Sequence, residues 1–139
     1  MSDDSPKLAG GCACGRVRYV LSQPPITVRV CWCRECQYLA AGNGSVNLRI
    51  ARGDVQMQGA LTGWTATAAS GNTIRRSFCP ECGTPVLSES SGAPDIVVIR
   101  VGTLDDPGAF APRQTIWTAS APSWACIDES LPASPRQPG

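Results

Sequence analysis

The most informative stretch of the sequence is residues 78–85, which read Phe78-Cys79-Pro80-Glu81-Cys82-Gly83-Thr84-Pro85. A Cys-Pro-x-Cys-Gly turn brings two sulfur atoms within reach of one metal ion. Pro80 presets φ at the first turn position, and Gly83 can adopt a positive φ where the chain leaves the turn. Structural zinc takes four ligands in a tetrahedron, so this pair predicts a second pair elsewhere. The alternative is a redox-active or disulfide-forming Cys-x-x-Cys.

One candidate second pair lies near the start of the chain. Cys12 and Cys14 precede residues 16–21, which alternate with the period of a β-strand. In an extended segment the two side chains project from the same face, so both can bind one ion. The competing interpretation is a buried pair of small apolar residues.

A third group lies at Cys31, Cys33 and Cys36, directly after the β-branched run 26–30. Cys31 and Cys33 share a strand face, and Cys33 with Cys36 forms another turn of ligand spacing. Three sulfur atoms this close predict a metal site, although one of them could instead pack in the core.

The composition restricts the chemistry. The 139 residues include eight cysteines and no histidine, which excludes Cys/His zinc fingers, imidazole bases and histidine-dependent triads. A metal must therefore be held by thiolates, and this soft ligand set favours zinc, with iron as the main competitor. The length predicts one zinc-binding domain over residues 1–139, with a folded core at about 8–132 and loose termini.

Charge and hydropathy limit the partners. Twelve basic and eleven acidic residues give a net charge of +1 and are spread along the chain, which argues against nucleic-acid and membrane-surface binding. No apolar run is long enough to span a bilayer, and the N-terminus lacks the features of a signal peptide. We therefore expect a cytoplasmic protein, in which the cysteines are metal ligands or reactive thiols.

Strand-like patterns dominate the rest of the sequence, and no long stretch has a 3.6-residue period. The sequence therefore predicts a mainly β fold. The most apolar run, residues 95–101, is expected to be a central strand. Residues 59–63 read as a turn.

The three cysteine groups and the residues that flank them resemble the sequence motifs of the glutathione-dependent formaldehyde-activating enzyme family, which includes centromere protein V-like proteins. The resemblance extends over about residues 8–132 and implies a β-tent fold of small antiparallel sheets with two zinc ions per chain. By this resemblance, a structural zinc is held by Cys12, Cys14, Cys79 and Cys82. A catalytic zinc with an open fourth position is held by Cys31, Cys33 and Cys36. Four thiolates leave zinc no open position, whereas three can admit an exogenous thiol.

The resemblance implies a carbon–sulfur lyase acting on adducts of a small thiol with an aldehyde, glutathione and formaldehyde being the family's pair. Arg34 and Arg29 could attract glutathione carboxylates, or they could be solvated surface residues. Glu35 is the nearest carboxylate, and no residue stands out as a general base. The alternatives are a non-catalytic, zinc-stabilised binding module and a thiol redox sensor.

The roles of Trp32 and Cys126 are each open to two interpretations. The family usually has histidine where this chain has Trp32, which either packs beside the metal or contacts substrate. Cys126 could be a fourth ligand of the middle group, but we expect it to lie in the core, since free cysteine is usually buried.

Overall fold

A computed structural model describes residues 8–138, and within them the chain is mainly β, as predicted. One short α-helix, α1, spans Arg34–Leu39 within these residues, and three 3₁₀ turns span Arg52–Asp54, Val101–Thr103 and Thr118–Ser120. The strands are β1 Leu8–Gly11, β2 Arg18–Leu21, β3 Thr27–Cys31, β4 Ser45–Ala51, β5 Val55–Gln58, β6 Thr62–Thr67, β7 Thr73–Phe78, β8 Pro85–Ser90, β9 Ile96–Arg100 and β10 Gln114–Ile116.

The larger sheet has seven strands in the order β10-β3-β4-β9-β8-β7-β6. β9 is the fourth of the seven, so the prediction that residues 95–101 form a central strand is confirmed. The neighbours are antiparallel except β10 and β3, which run parallel, so this sheet is mixed and not wholly antiparallel.

The smaller sheet has three antiparallel strands in the order β1-β2-β5. Tyr19 and Leu21 of β2 point into the core while Arg18 and Val20 point outward, which is the alternation seen in the sequence. The core between the two sheets is formed by residues from β2, β4, β8 and β9, among them Tyr19, Leu21, Leu48, Ile50, Val86, Val97 and Ile99. Burial of these side chains holds the two sheets together.

Strands β1, β6 and β10 were not predicted. β6 begins at Thr62, inside the segment 59–63 that reads as a turn, and it pairs with β7 over its whole length. It is an edge strand with exposed and half-buried side chains, so it lacks a clean apolar alternation. β1 begins at Leu8, where the predicted folded core starts, although no strand was predicted over residues 8–11. Residues 1–7, which were expected to be loose, lie outside the described part.

The C-terminal segment is attached to the sheet and is not loose. Thr115 pairs with Ala133, and the Thr115 N–H donates to the Pro132 carbonyl at 2.9 Å. The Trp117 indole donates to Gln137 at 3.1 Å. Backbone pairing to β10 therefore orders a proline-rich stretch that has little apolar content of its own.

No helix among residues 8–138 is long and apolar enough to cross a membrane.

Candidate functional site

The first cysteine group assembles from two distant parts of the chain. Cys12 and Cys14 lie between β1 and β2, whereas Cys79 and Cys82 lie in the turn between β7 and β8. Their four sulfur atoms all lie within 4.8 Å of one another. A bulge at Ser77/Phe78 shifts the register of β7 just before Cys79. The group joins the smaller sheet to the larger one.

Hydrogen-bond donors surround these sulfur atoms. The Val17 N–H donates to Cys12 Sγ at 3.2 Å, and the Glu81 N–H donates to Cys79 Sγ at 3.4 Å. The Thr84 hydroxyl lies 3.2 Å from Cys82 Sγ, and this contact, with nearby backbone N–H groups, lowers the pKa of Cys82 to about 5. Gly83 has φ +78°, as the turn requires. Four convergent sulfur atoms, three of them with hydrogen-bond donors beside them, fit a tetrahedral zinc site.

The second group is local and lies at the junction of β3 and α1. Cys31 ends β3, Cys33 is the N-cap of α1, and Cys36 lies in its first turn. The Cys36 N–H donates to Cys33 Sγ at 3.4 Å. The three sulfur atoms lie within 4.8 Å of one another, with Ile116 and Trp117 packed against them.

The electrostatics of the second group favour one thiolate over the others. Contact with the Cys31 and Cys36 thiols, helped by the positive charge of Arg76, strongly lowers the pKa of Cys33. The contacts with Cys33 and Cys36, together with burial, raise the pKa of Cys31 well above its usual range. Like charges this close oppose further ionisation unless a cation balances them. The three residues therefore fit a cation such as zinc.

Two buried arginines lie close to the second group and were missed in the sequence. Arg76 forms an ion pair with Glu35, and its guanidinium lies 5.2 Å from the centre of the Trp64 ring. Arg100 donates to Asn47 at 2.7 Å and to Ser88 at 2.9 Å. Arg76 stands in an otherwise ordinary strand pattern, and the residue that it pairs with is 41 positions away. No local pattern in the sequence therefore signals either role.

Arg29 and Arg34, the two candidates for contact with a substrate carboxylate, both have partners within the protein. Arg29 donates to Gln114 at 3.2 Å along the β3–β10 edge. Arg34 is exposed, donates to Gln37 at 2.6 Å and lies over the Tyr38 ring. Arg34 is therefore a surface residue, whereas Arg29 is half-buried, and burial lowers the pKa of its guanidinium.

Trp32 is a packing residue. Only 2% of its surface is exposed, and its ring meets that of Trp124 edge to face at 6.4 Å. An added Cβ at Gly44 would lie 2.9 Å from the indole, so a glycine there makes room for it. The large indole therefore fills the space between Gly44 and Trp124.

Cys126 does not lie in the core. It is exposed and belongs to neither sulfur group, so the prediction that it is a core residue was wrong. Local backbone turns shape the segment around it, with the Ala125 N–H donating to the Pro122 carbonyl and the Leu131 N–H donating to the Asp128 carbonyl. Within residues 8–138 the second group thus has three cysteines and the first has four.

Comparison with known proteins agrees with these observations. The family model described as "Glutathione-dependent formaldehyde-activating enzyme" matches residues 7–120. A comparison with curated protein sequences gave no match. The structure is similar to the crystal structure of a Rhodobacter sphaeroides protein, with a TM-score of 0.57 and 21% sequence identity, over 76% of this chain and 92% of that chain. At this identity the likeness concerns the fold alone.

Proposed function

The chain belongs to the glutathione-dependent formaldehyde-activating enzyme family, and from this premise we propose that it is a zinc-dependent carbon–sulfur lyase. Its substrates are adducts of a small thiol with an aldehyde, or the thiol and the aldehyde themselves. Glutathione and formaldehyde are the first pair to test, because the family's description names them. The observation that carries the proposal is the difference between the two sulfur groups, four cysteines in one and three in the other.

The two groups are assigned different tasks. Cys12, Cys14, Cys79 and Cys82 would hold a structural zinc, because four thiolates close its coordination. Cys31, Cys33 and Cys36 would hold the second zinc. Bound there, zinc supplies a Lewis acid with an open position, which favours the thiolate form of a substrate thiol.

The chain's own residues prepare this second centre. Cys33 caps α1, so its sulfur accepts a backbone N–H at the positive end of a helical turn. Arg76 adds positive charge that also favours a thiolate. Ile116 and Trp117 cover one side of the group and exclude water from it. A thiolate held in such surroundings is positioned to add to a small electrophilic carbonyl carbon.

Glu35 is the carboxylate nearest to the second group in the sequence, but its ion pair with Arg76 makes it a poor proton acceptor. We assign it the role of orienting Arg76. The proton that leaves the substrate thiol therefore passes to solvent in this scheme. All eight cysteines are unpaired, which agrees with a reducing compartment, so we place the protein in the cytoplasm.

The test is the rate of adduct formation from glutathione and formaldehyde, followed by proton NMR of the zinc-loaded protein. The wild-type protein should shorten the approach to equilibrium, and Cys36→Ser should not. Cys126→Ser is the matched control, because this exposed cysteine lies outside both groups, and it should behave as wild type. If the wild-type protein gives the same rate as the protein-free mixture, with glutathione and with other small thiols, the enzyme proposal is refuted and the alternative of a zinc-stabilised binding module is favoured.

A further inference from the structure

A cavity of about 270 Å³ lies between the second half of α1 and strands β6–β9. Trp64, Phe78 and Leu87 form much of its apolar lining, and Tyr38 and Leu39 close it from α1. Arg76 and Arg100 also line it. The volume is just below the range of roughly 300 to 1,000 Å³ that is usual for small-molecule sites, so it suits one small group.

Two buried arginines line this cavity, and within residues 8–138 only one of them has a carboxylate partner. Arg76 is 7% exposed and Arg100 is 9% exposed. Arg76 has Glu35 as its partner, whereas Arg100 forms no ion pair within the described residues and donates only to neutral oxygens. Arg76 Nε, Arg76 Nη1 and Arg100 Nε have no hydrogen-bond partner in that part of the chain. Buried charge without a partner is costly, so an anion is expected here.

The lining also indicates which kind of anion fits. Aromatic and aliphatic walls do not solvate a compact, highly charged ion, but they do accept the hydrocarbon part of an organic acid. They also lower the local dielectric, which strengthens the attraction between a guanidinium and a carboxylate. Guanidinium groups match the planar geometry of carboxylates.

We propose that this cavity binds the carboxylate of a small acid with a short hydrocarbon body, and that Arg76 and Arg100 select it. Arg76 forms its ion pair with Glu35, the residue that precedes Cys36, so the cavity adjoins the second cysteine group. An acid seated there would extend toward these cysteines. That the acid is part of the thiol substrate rests on the proposed function, whereas binding of the carboxylate does not.

The competing explanation is that the thiolates of the second group balance both arginines. In that case the cavity would take acids and neutral molecules of the same shape equally well. The two explanations therefore differ in a measurement that needs no thiol.

The first experiment titrates butyrate, and separately butyramide, into the ¹⁵N-labelled, zinc-loaded protein. We expect butyrate to shift the Trp64 indole resonance and to bind at least about tenfold more tightly than the amide, as for a charge-assisted pair. Arg76→Gln should remove this preference. Arg75→Gln is the matched control, because it removes the same charge from an exposed neighbour on β7 and should change the affinity less than about twofold.

Equal affinities for butyrate and butyramide in the wild-type protein would overturn the proposal. So would an equal loss of butyrate affinity in the Arg75 and Arg76 variants. If Arg76→Gln does not fold, the comparison of acid with amide in the wild-type protein still decides the question.

The second experiment identifies the source of the carboxylate. In protein with cobalt at the second group, 4-mercaptobutyrate should bind more tightly than its amide, and Arg76→Gln should abolish the difference. Butyrate binding with no thiol binding at all would refute the proposed function while leaving the acid site. Thiol binding with no preference for the acid would refute the assignment of the acid to the thiol substrate.

Discussion

The two cysteine groups should differ sharply in how much they stabilise the fold. In the first group Cys14 and Cys79 are separated by 65 residues, so a metal there closes a long loop. Treated as a cross-link, a loop of that length contributes about 4 kcal/mol. The Cys79→Ser substitution would also bury a hydroxyl, since Cys79 is only 1% exposed. Together these terms approach the total stability of a domain, about 5–15 kcal/mol.

The second group closes only a short loop, because Cys31, Cys33 and Cys36 lie within one strand end and one helical turn. The same relation gives about 2 kcal/mol for such a loop, and α1 already fixes much of it. Cys79→Ser should therefore lower Tm by more than about 12 °C or prevent folding, and Cys36→Ser by less than about half as much.

Thermal unfolding followed by circular dichroism measures the difference. Cys126→Ser serves as control and should stay within about 2 °C of wild type, because the residue is exposed and lies in neither group. Equal losses of Tm in Cys36→Ser and Cys79→Ser would refute the division into a structural and an open site.

Three further outcomes follow from the geometry. Metal analysis of protein purified without chelator should find two zinc ions per chain, and one ion, none, or iron would contradict the two-site assignment. Tyr19→Phe should cost about 1 kcal/mol in urea unfolding, because it loses a buried 2.7 Å hydrogen bond to Thr103, whereas Tyr38→Phe, at a position 78% exposed, should cost almost nothing. Gly10→Ala should lower the free energy of unfolding by about 1–3 kcal/mol, because the new Cβ would lie 2.2 Å from the Thr103 carbonyl oxygen. Gly53→Ala is the control, because its Cβ would meet no atom, and equal losses in the two variants would refute this packing argument.

The spacing of the cysteines made it possible to predict the two candidate metal sites from the sequence. Ligand spacing is a local property, so the pairs at 12–14 and 79–82 and the trio at 31–36 could be recognised without a structure. The strands with clear alternation or long apolar runs, such as β2 and β9, were recognised for the same reason. The mainly β fold followed from them.

The parts that could not be predicted depend on distant contacts. β6 is an edge strand held by pairing with β7, and the C-terminal segment is held by pairing with β10, so neither carries its own apolar pattern. In the sequence Arg76 and Arg100 resemble ordinary strand residues, and only the folded structure shows that both are buried. The prediction for Cys126 followed the general tendency of cysteine to be buried, and its surface segment departs from that tendency.

The central claim is that the second cysteine group leaves one metal position for an external thiol. Cobalt in place of zinc makes this position visible, because thiolate-to-cobalt charge-transfer bands change when a ligand is added. Glutathione should change these bands in the wild-type protein and in Cys126→Ser, but not in Cys36→Ser. Unchanged bands in the wild-type protein with glutathione and with every other small thiol would contradict the claim.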